Sequence, residues 1–121
     1  MSNLLEETLK ELKDNNKSPS DVMWCGSEEF GYFKWKDFET IASWTNYDGG
    51  YGGQEIAKDL LIVGKRFWLE RHEYDGSEWW EYKTLPQKPK TKTKPVRFTS
   101  DDSWSSLLEM HQPVGKYDNL T

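Results

Sequence analysis

Residues 60–85, LLIVGKRFWLERHEYDGSEWWEYKTL, constrain the fold of this chain more than any other stretch. At their centre, Asp75-Gly76 separates two aromatic, alternating segments, 67–74 and 78–85. Both central residues of a type I′ turn need a positive φ, which Asp tolerates and Gly adopts freely, so the dipeptide predicts a β-hairpin. The apolar run Leu60-Leu61-Ile62-Val63, ending at Gly64, supplies a strand before it. The expectation is a three-strand antiparallel meander.

The register of the hairpin decides which side chains share a face. With only Asp75 and Gly76 in the loop, Tyr74 pairs with Ser77, and one face carries Phe67, Leu69, Arg71, Trp80, Tyr82 and Thr84. The other carries Trp68, Glu70, His72, Tyr74, Trp79, Glu81 and Lys83, with Glu70 across from Glu81 and His72 across from Trp79. A three-residue loop that includes Ser77 shifts the pairing by one and sets Arg71 against Glu81. The first face is the candidate core, yet in either register both faces carry large aromatics.

At 121 residues there is room for one hydrophobic core. Only 35% of the residues are apolar, but seven Trp, six Tyr and five Phe bury far more area each than Ala or Val would, so the core should be few-membered and aromatic. The single Cys25 excludes an internal disulfide and the usual multi-Cys zinc sites. In an apolar strand it is a buried, inert thiol rather than a nucleophile. With no apolar leader and no run of 18 apolar residues, the expectation is a soluble, cytosolic protein. The net charge of −5 hides two surfaces: residues 85–98 hold Lys88, Lys90, Lys92, Lys94 and Arg97 and no acid, leaving −10 on the rest. An acidic body disfavours general nucleic-acid binding.

Residues 3–14 predict a short amphipathic helix with Asn3 as N-cap, Glu6 three residues on, and Leu5, Leu9 and Leu12 on one face. A helix this short is marginal alone and must dock. Residues 22–25 and 32–35 predict a first hairpin around the turn 28–31, and 36–44 a second helix with Phe38, Ile41 and Ala42 on its apolar face. Residues 45–54, TNYDGGYGGQ, form a glycine-rich loop, and 54–59 one helical turn. Residues 86–95, PQKPKTKTKP, favour an extended, solvated, mobile segment. A short edge strand at 96–98 and a helix at 101–111, capped by Ser100 and striped with Trp104, Leu107 and Leu108, complete the chain; Pro113 stops the helix, and the last eight residues are polar and frayed. The fold class is α+β: a mainly antiparallel sheet of about five strands with about three helices. One domain is expected, with a core at 1–85, a basic loop at 86–98, and a C-terminal helix and tail at 99–121.

Glu70, His72 and Glu81 are the one candidate acid–base or metal constellation, since two facing carboxylates would raise one carboxyl pKa. The competing reading is an exposed sheet face on which Lys83 and Arg71 neutralise the acids. No HExxH or comparable spacing supports a metal, and no catalytic residue or cofactor is assigned. Trp68 and Trp79 could instead stack on a sugar, a base or a partner's side chain, unless a helix, 3–14 or 101–111, covers them. The glycine loop lacks GxxxxGK[ST] and runs into Gln54-Glu55, which favours a structural turn over a phosphate site. The basic arm Lys88, Lys90, Lys92, Lys94 and Arg97 could touch nucleic acid, but aromatics do not interleave its lysines, and a solvated loop is the stronger reading. His111, near a helix C-terminus, suits the helix dipole as a cation.

The glycine loop running into Gln54-Glu55-Ile56-Ala57, together with Trp68-Leu69-Glu70-Arg71 and Glu73-Tyr74-Asp75-Gly76-Ser77-Glu78-Trp79-Trp80, resembles a family of small uncharacterised proteins carried by phages and prophages of Gram-positive bacteria. The resemblance covers residues 21–86. It implies a mobile-element origin, a host-cytosol location and accessory roles such as binding host proteins, host-defence inhibition among them. It brings no known activity and no catalytic residues. The resulting expectation is a non-enzymatic binder of a host or phage macromolecule, using Trp68, Glu70, His72, Trp79 and Glu81, with a small enzyme or metal protein on the same face and a nucleic-acid arm as alternatives.

Overall fold

The computed structural model describes residues 1–49 and 52–112 and divides the chain into two compact units, Met1–Pro86 and Gln87–Thr121. The expectations for Gly50 and Tyr51 in the glycine loop, for Pro113 and for the last eight residues lie outside the described residues.

In chain order the first unit runs β1 (Ser2–Asn3), α1 (Leu4–Asp14), a 3₁₀ turn (Pro19–Asp21), β2 (Val22–Ser27), β3 (Gly31–Phe33), α2 (Trp35–Ser43), β4 (Asn46–Tyr47), β5 (Leu61–Gly64), β6 (Phe67–Tyr74) and β7 (Ser77–Thr84). Five strands form one antiparallel sheet in the order β3-β2-β5-β6-β7, and β1 pairs with β4 in a separate two-stranded ribbon. The fold is α+β, as the hairpin pattern implies.

The central hairpin adopts the two-residue loop. Asp75 and Gly76 take φ of 50° and 87°, and Tyr74 pairs with Ser77. Glu70 therefore lies across from Glu81, Arg71 from Trp80, and His72 from Trp79. Strand β2 carries a register shift between Val22 and Trp24, after which Cys25 aligns with Ile62. Gly26, at φ 140°, lets β2 and β3 approach so closely that a Cβ there would stand 2.0 Å from the Gly31 carbonyl oxygen.

Helix α1 starts where Asn3 Oδ1 accepts the Glu6 N–H at 3.0 Å, a cap worth about 1 kcal/mol. Its buried side chains are Leu4, Thr8 and Leu12, while α2 buries Phe38 and Ala42. Both helices join one core with Cys25, Ile62, Phe67, Leu69 and Trp80, all on the same side of the sheet. The first unit is thus two layers, with helices on the Phe67/Leu69/Trp80 face.

Three expectations are corrected. Residues 54–59 form turns and not a helix. Residues 96–98 are not a strand, and the C-terminal helix α3 is only Leu107–Met110, inside the second unit. Trp104 is the reason the helix does not begin at 101: it takes a left-handed φ of 70°, incompatible with a continuing helix, and stands 99% exposed. The working cap is Ser106, whose Oγ accepts the Glu109 N–H while Glu109 Oε1 accepts the Ser106 N–H, both at 3.1 Å. Leu107 and Leu108 remain exposed, so the expected apolar stripe is not buried.

Candidate functional site

The second face of the sheet is assembled in cross-strand rows. Trp24, Val63, Trp68 and Lys83 align across β2, β5, β6 and β7, followed by Gly26, Leu61, Glu70 and Glu81. His72 and Trp79 form the next pair, beyond the end of β5. Trp24, Leu61, Val63, Trp68, Glu70, His72, Trp79, Glu81 and Lys83 are all half-buried. Both helices of this unit bury their apolar residues on the opposite face, so α1 is not the cover over Trp68 and Trp79.

Side chains on this face are tied to one another. Trp68 Nε1–H donates to Glu70 Oε1 at 2.7 Å, and His72 Nε2 lies 2.7 Å from Glu70 Oε2. Trp79 Nε1–H donates to Glu81 Oε2 at 3.2 Å, and Lys83 Nζ lies 3.2 Å from Glu81 Oε1. An ionised carboxylate can only accept, so His72 Nε2 carries the hydrogen toward Glu70. His72 Nδ1 then sits 3.6 Å from Glu81 Oε2, too far for a second hydrogen bond.

These contacts reverse the expected acid–base arrangement. Glu70 is held below the usual carboxylate range by the Trp68 N–H first and by His72 second. Glu81 is held low by Lys83 first and Trp79 second. Indole and ammonium donors outweigh the repulsion of the facing pair, so neither carboxyl is raised toward a general acid. Among the described residues no group of three or more His, Cys, Asp or Glu side chains is arranged to hold a metal ion. What the arrangement supplies is a face of indoles whose edges are fixed by carboxylates.

Strand β5 stops at Leu61, opposite Glu70, while β6 continues to Tyr74. The gap leaves a recess of about 420 Å³ beside the face, lined by the acids Glu28, Glu29, Asp59 and Glu70 and by the cations Lys58 and Arg71.

The other face holds a buried charge network that the sequence did not announce. Arg71 has a fully buried side chain; its Nη2 donates to Glu78 Oε1 at 2.8 Å and to Tyr47 OH at 3.1 Å, and its Nη1 to Glu7 Oε1 at 3.3 Å. The Tyr47 hydroxyl donates in turn to Glu7. Glu78 also accepts the Glu55 N–H at 2.7 Å and the Ile56 N–H at 3.3 Å, while its own N–H donates to the Gly49 carbonyl at 3.1 Å. One side chain and its backbone thus tie Gly49 to Glu55 and Ile56, on either side of the glycine-rich stretch. Burial works against the Arg71 cation, but the bonds to Glu78 and Tyr47 outweigh it and hold its pKa above the usual value. Burial, then the bond to Glu7, push the Tyr47 phenol up to about 12. The guanidinium also stacks 4.8 Å from the Trp80 ring, whose Nε1–H donates to Thr8 Oγ1 at 2.8 Å.

Cys25 is buried, and burial pushes its thiol up to about 12, so it is no nucleophile at neutral pH. In the second unit Lys88, Lys90, Lys92, Lys94 and Arg97 are exposed on irregular backbone. Arg97 Nη1 donates to the Met110 carbonyl at 3.4 Å, and the Val96 N–H donates to His111 Nε2 at 2.9 Å. His111 Nδ1, 2.7 Å from the Leu107 carbonyl, must carry the hydrogen there. His111 therefore staples Val96, in the basic arm, to Leu107 in α3.

Among the described residues no helix is long and apolar enough to cross a membrane. Set against protein-family models, characterised proteins and solved structures, the chain matches none of them.

Proposed function

We propose that the chain is a non-enzymatic binding protein and that the sheet face bearing Trp68 and Trp79 receives a protein partner. The observation that carries this reading is the tethering of both half-exposed indoles to Glu70 and Glu81, on the face away from both helices. Pre-oriented aromatics with few remaining degrees of freedom are the usual anchors of protein interfaces, because little entropy is lost when they are covered. The neighbouring recess sets Glu28, Glu29, Asp59 and Glu70 against Lys58 and an Arg71 already paired with Glu7 and Glu78, which favours a partner that offers apolar side chains beside a basic one. The same acids are a poor match for a polyphosphate. The resemblance over residues 21–86 points to a bacterial host or phage protein as that partner.

The test is capture from a Gram-positive host lysate followed by titration of the purified partner. Trp68→Ala or Trp79→Ala should weaken binding by roughly thirtyfold, the scale of a hot-spot anchor, with the domain still folded. Glu28→Lys with Glu29→Lys should slow association and reduce its salt dependence. A captured partner that binds both tryptophan variants as tightly as the parent chain would overturn the assignment of this face.

A further inference from the structure

The sheet ends in a strand whose outer edge is open. β7 is the terminal strand beside β6, and at eight residues it is twice as long as β5. Since Tyr74 and Ser77 close the two-residue turn, Ser77, Trp79, Glu81 and Lys83 direct their backbone groups toward β6. Glu78, Trp80, Tyr82 and Thr84 then direct theirs outward. The Glu78 N–H is taken by the Gly49 carbonyl. Among the described residues the outward N–H and C=O groups of Trp80, Tyr82 and Thr84 have no partner. Edge strands of this length normally carry a bulge, a proline or like charges that repel a second strand. Here Pro86 comes only after the strand ends; of the three charges on β7, Glu78 is buried against Arg71, and the two half-exposed ones, Glu81 and Lys83, are of opposite sign.

We propose that β7 pairs antiparallel with β7 of a second copy of this chain, about a two-fold axis at Tyr82. This register is singled out by what it places opposite what. Glu81 meets Lys83 of the second copy, and Lys83 meets Glu81, so the two-fold generates a matched pair of ion pairs on the half-exposed face. On the same face Trp79 meets Leu85 of the second copy, covering a leucine that is 54% exposed in the single chain. On the core side Tyr82 meets Tyr82, and Trp80 meets Thr84. The ladder ends where the chemistry ends: the next position would set Glu78, whose N–H is already used, against Pro86, which has none. Centring the axis on Glu81 would instead oppose Glu81 with Glu81, and centring it on Lys83 would oppose lysine with lysine. The product is one continuous sheet of two copies, an isologous arrangement that buries both open edges.

Sedimentation velocity on the full chain tests this directly. The parent chain should show a concentration-dependent monomer–dimer equilibrium. Lys83→Glu and Glu81→Lys each place like charges across the two-fold and should each raise the dimer dissociation constant by roughly tenfold or more. Mixed together, these two variants are complementary at every charged position and should recover a heterodimer. Thr84→Pro removes only an outward N–H, leaves the ladder to β6 intact and should also abolish the dimer, with an unchanged far-ultraviolet circular dichroism spectrum. A parent chain that stays monomeric to about 1 mM overturns the proposal. So does a dimer insensitive to Lys83→Glu and Thr84→Pro, or a failure of the two charge variants to recombine.

Discussion

Arg71 and Glu78 form the ion pair most deeply buried in the sheet, with side chains 0% and 1% exposed, and their coupling can be worked out in advance. Arg71→Met removes the cation and leaves Glu78 charged in the interior. Removing one partner of a buried pair costs about 3–5 kcal/mol. Glu78 would retain the N–H groups of Glu55 and Ile56, which stabilise its charge, so about 3 kcal/mol is expected. Glu78→Leu leaves Arg71 with Glu7 and Tyr47 but strips both backbone donors of their acceptor, for about 4 kcal/mol. The double variant has two orphaned donors but no orphaned interior charge at Glu78, so its cost should be about 4 kcal/mol rather than about 7 kcal/mol. Urea unfolding of the parent, both single variants and the double variant, with the denaturant slopes checked for constancy, gives the cycle. A coupling of about 3 kcal/mol is the expected outcome. Additivity within about 0.5 kcal/mol would refute the claim that these two groups neutralise each other inside the sheet.

Thr8→Val keeps shape but leaves the buried Trp80 Nε1–H without its acceptor, and should cost about 1–3 kcal/mol in the same assay. In acid, the depressed carboxyls of Glu70 and Glu81 contribute stability that is present above their ordinary value of 4.5 and is lost as pH falls through their lower folded values; Trp68→Phe, which removes the main donor to Glu70, should flatten the acid limb of a melting-temperature profile. In alkali the sign is opposite. Tyr47 and Cys25 are raised from 10.0 and 9.0 to about 12, so their contribution is complete below the ordinary values and is lost as pH rises toward 12. Tyr47→Phe with Cys25→Ala should remove much of that fall, and an unchanged alkaline profile would show that these two groups are not its cause.

The sheet was legible because its signals are local. Asp75-Gly76 set the turn, the turn set the register, and period two then assigned every residue of β6 and β7 to a face. The Asn3 cap was legible for the same reason. The Arg71 network was not, because Glu7 and Tyr47 lie 64 and 24 residues away along the chain and reach Arg71 only through packing. Part of it could have been found: an arginine on an otherwise apolar face requires a counter-ion, and the register places Glu78 on that same face. The continuation of the candidate site onto Trp24, Leu61 and Val63 was missed because Leu60-Leu61-Ile62-Val63 is apolar throughout, and such a run does not say which of its faces is free. The C-terminal helix was over-read from a plausible cap and stripe; a single left-handed residue, Trp104, breaks it. The Glu70–Glu81 pair was placed correctly but its chemistry was reversed, since donors two residues away on each strand, Trp68 for Glu70 and Lys83 then Trp79 for Glu81, hold both carboxyls low.

Everything proposed for the half-exposed face depends on its tryptophans being reachable from solvent while Trp80 is not. Hydrogen exchange at the indole N–H groups, followed by NMR on the full chain, measures this residue by residue. Trp80, locked to Thr8 inside the core, should exchange only with global unfolding, whereas Trp68 and Trp79 should exchange orders of magnitude faster through local opening. Protection of Trp68 and Trp79 equal to that of Trp80 would show the face to be covered, and would contradict the assignment of this surface to a partner.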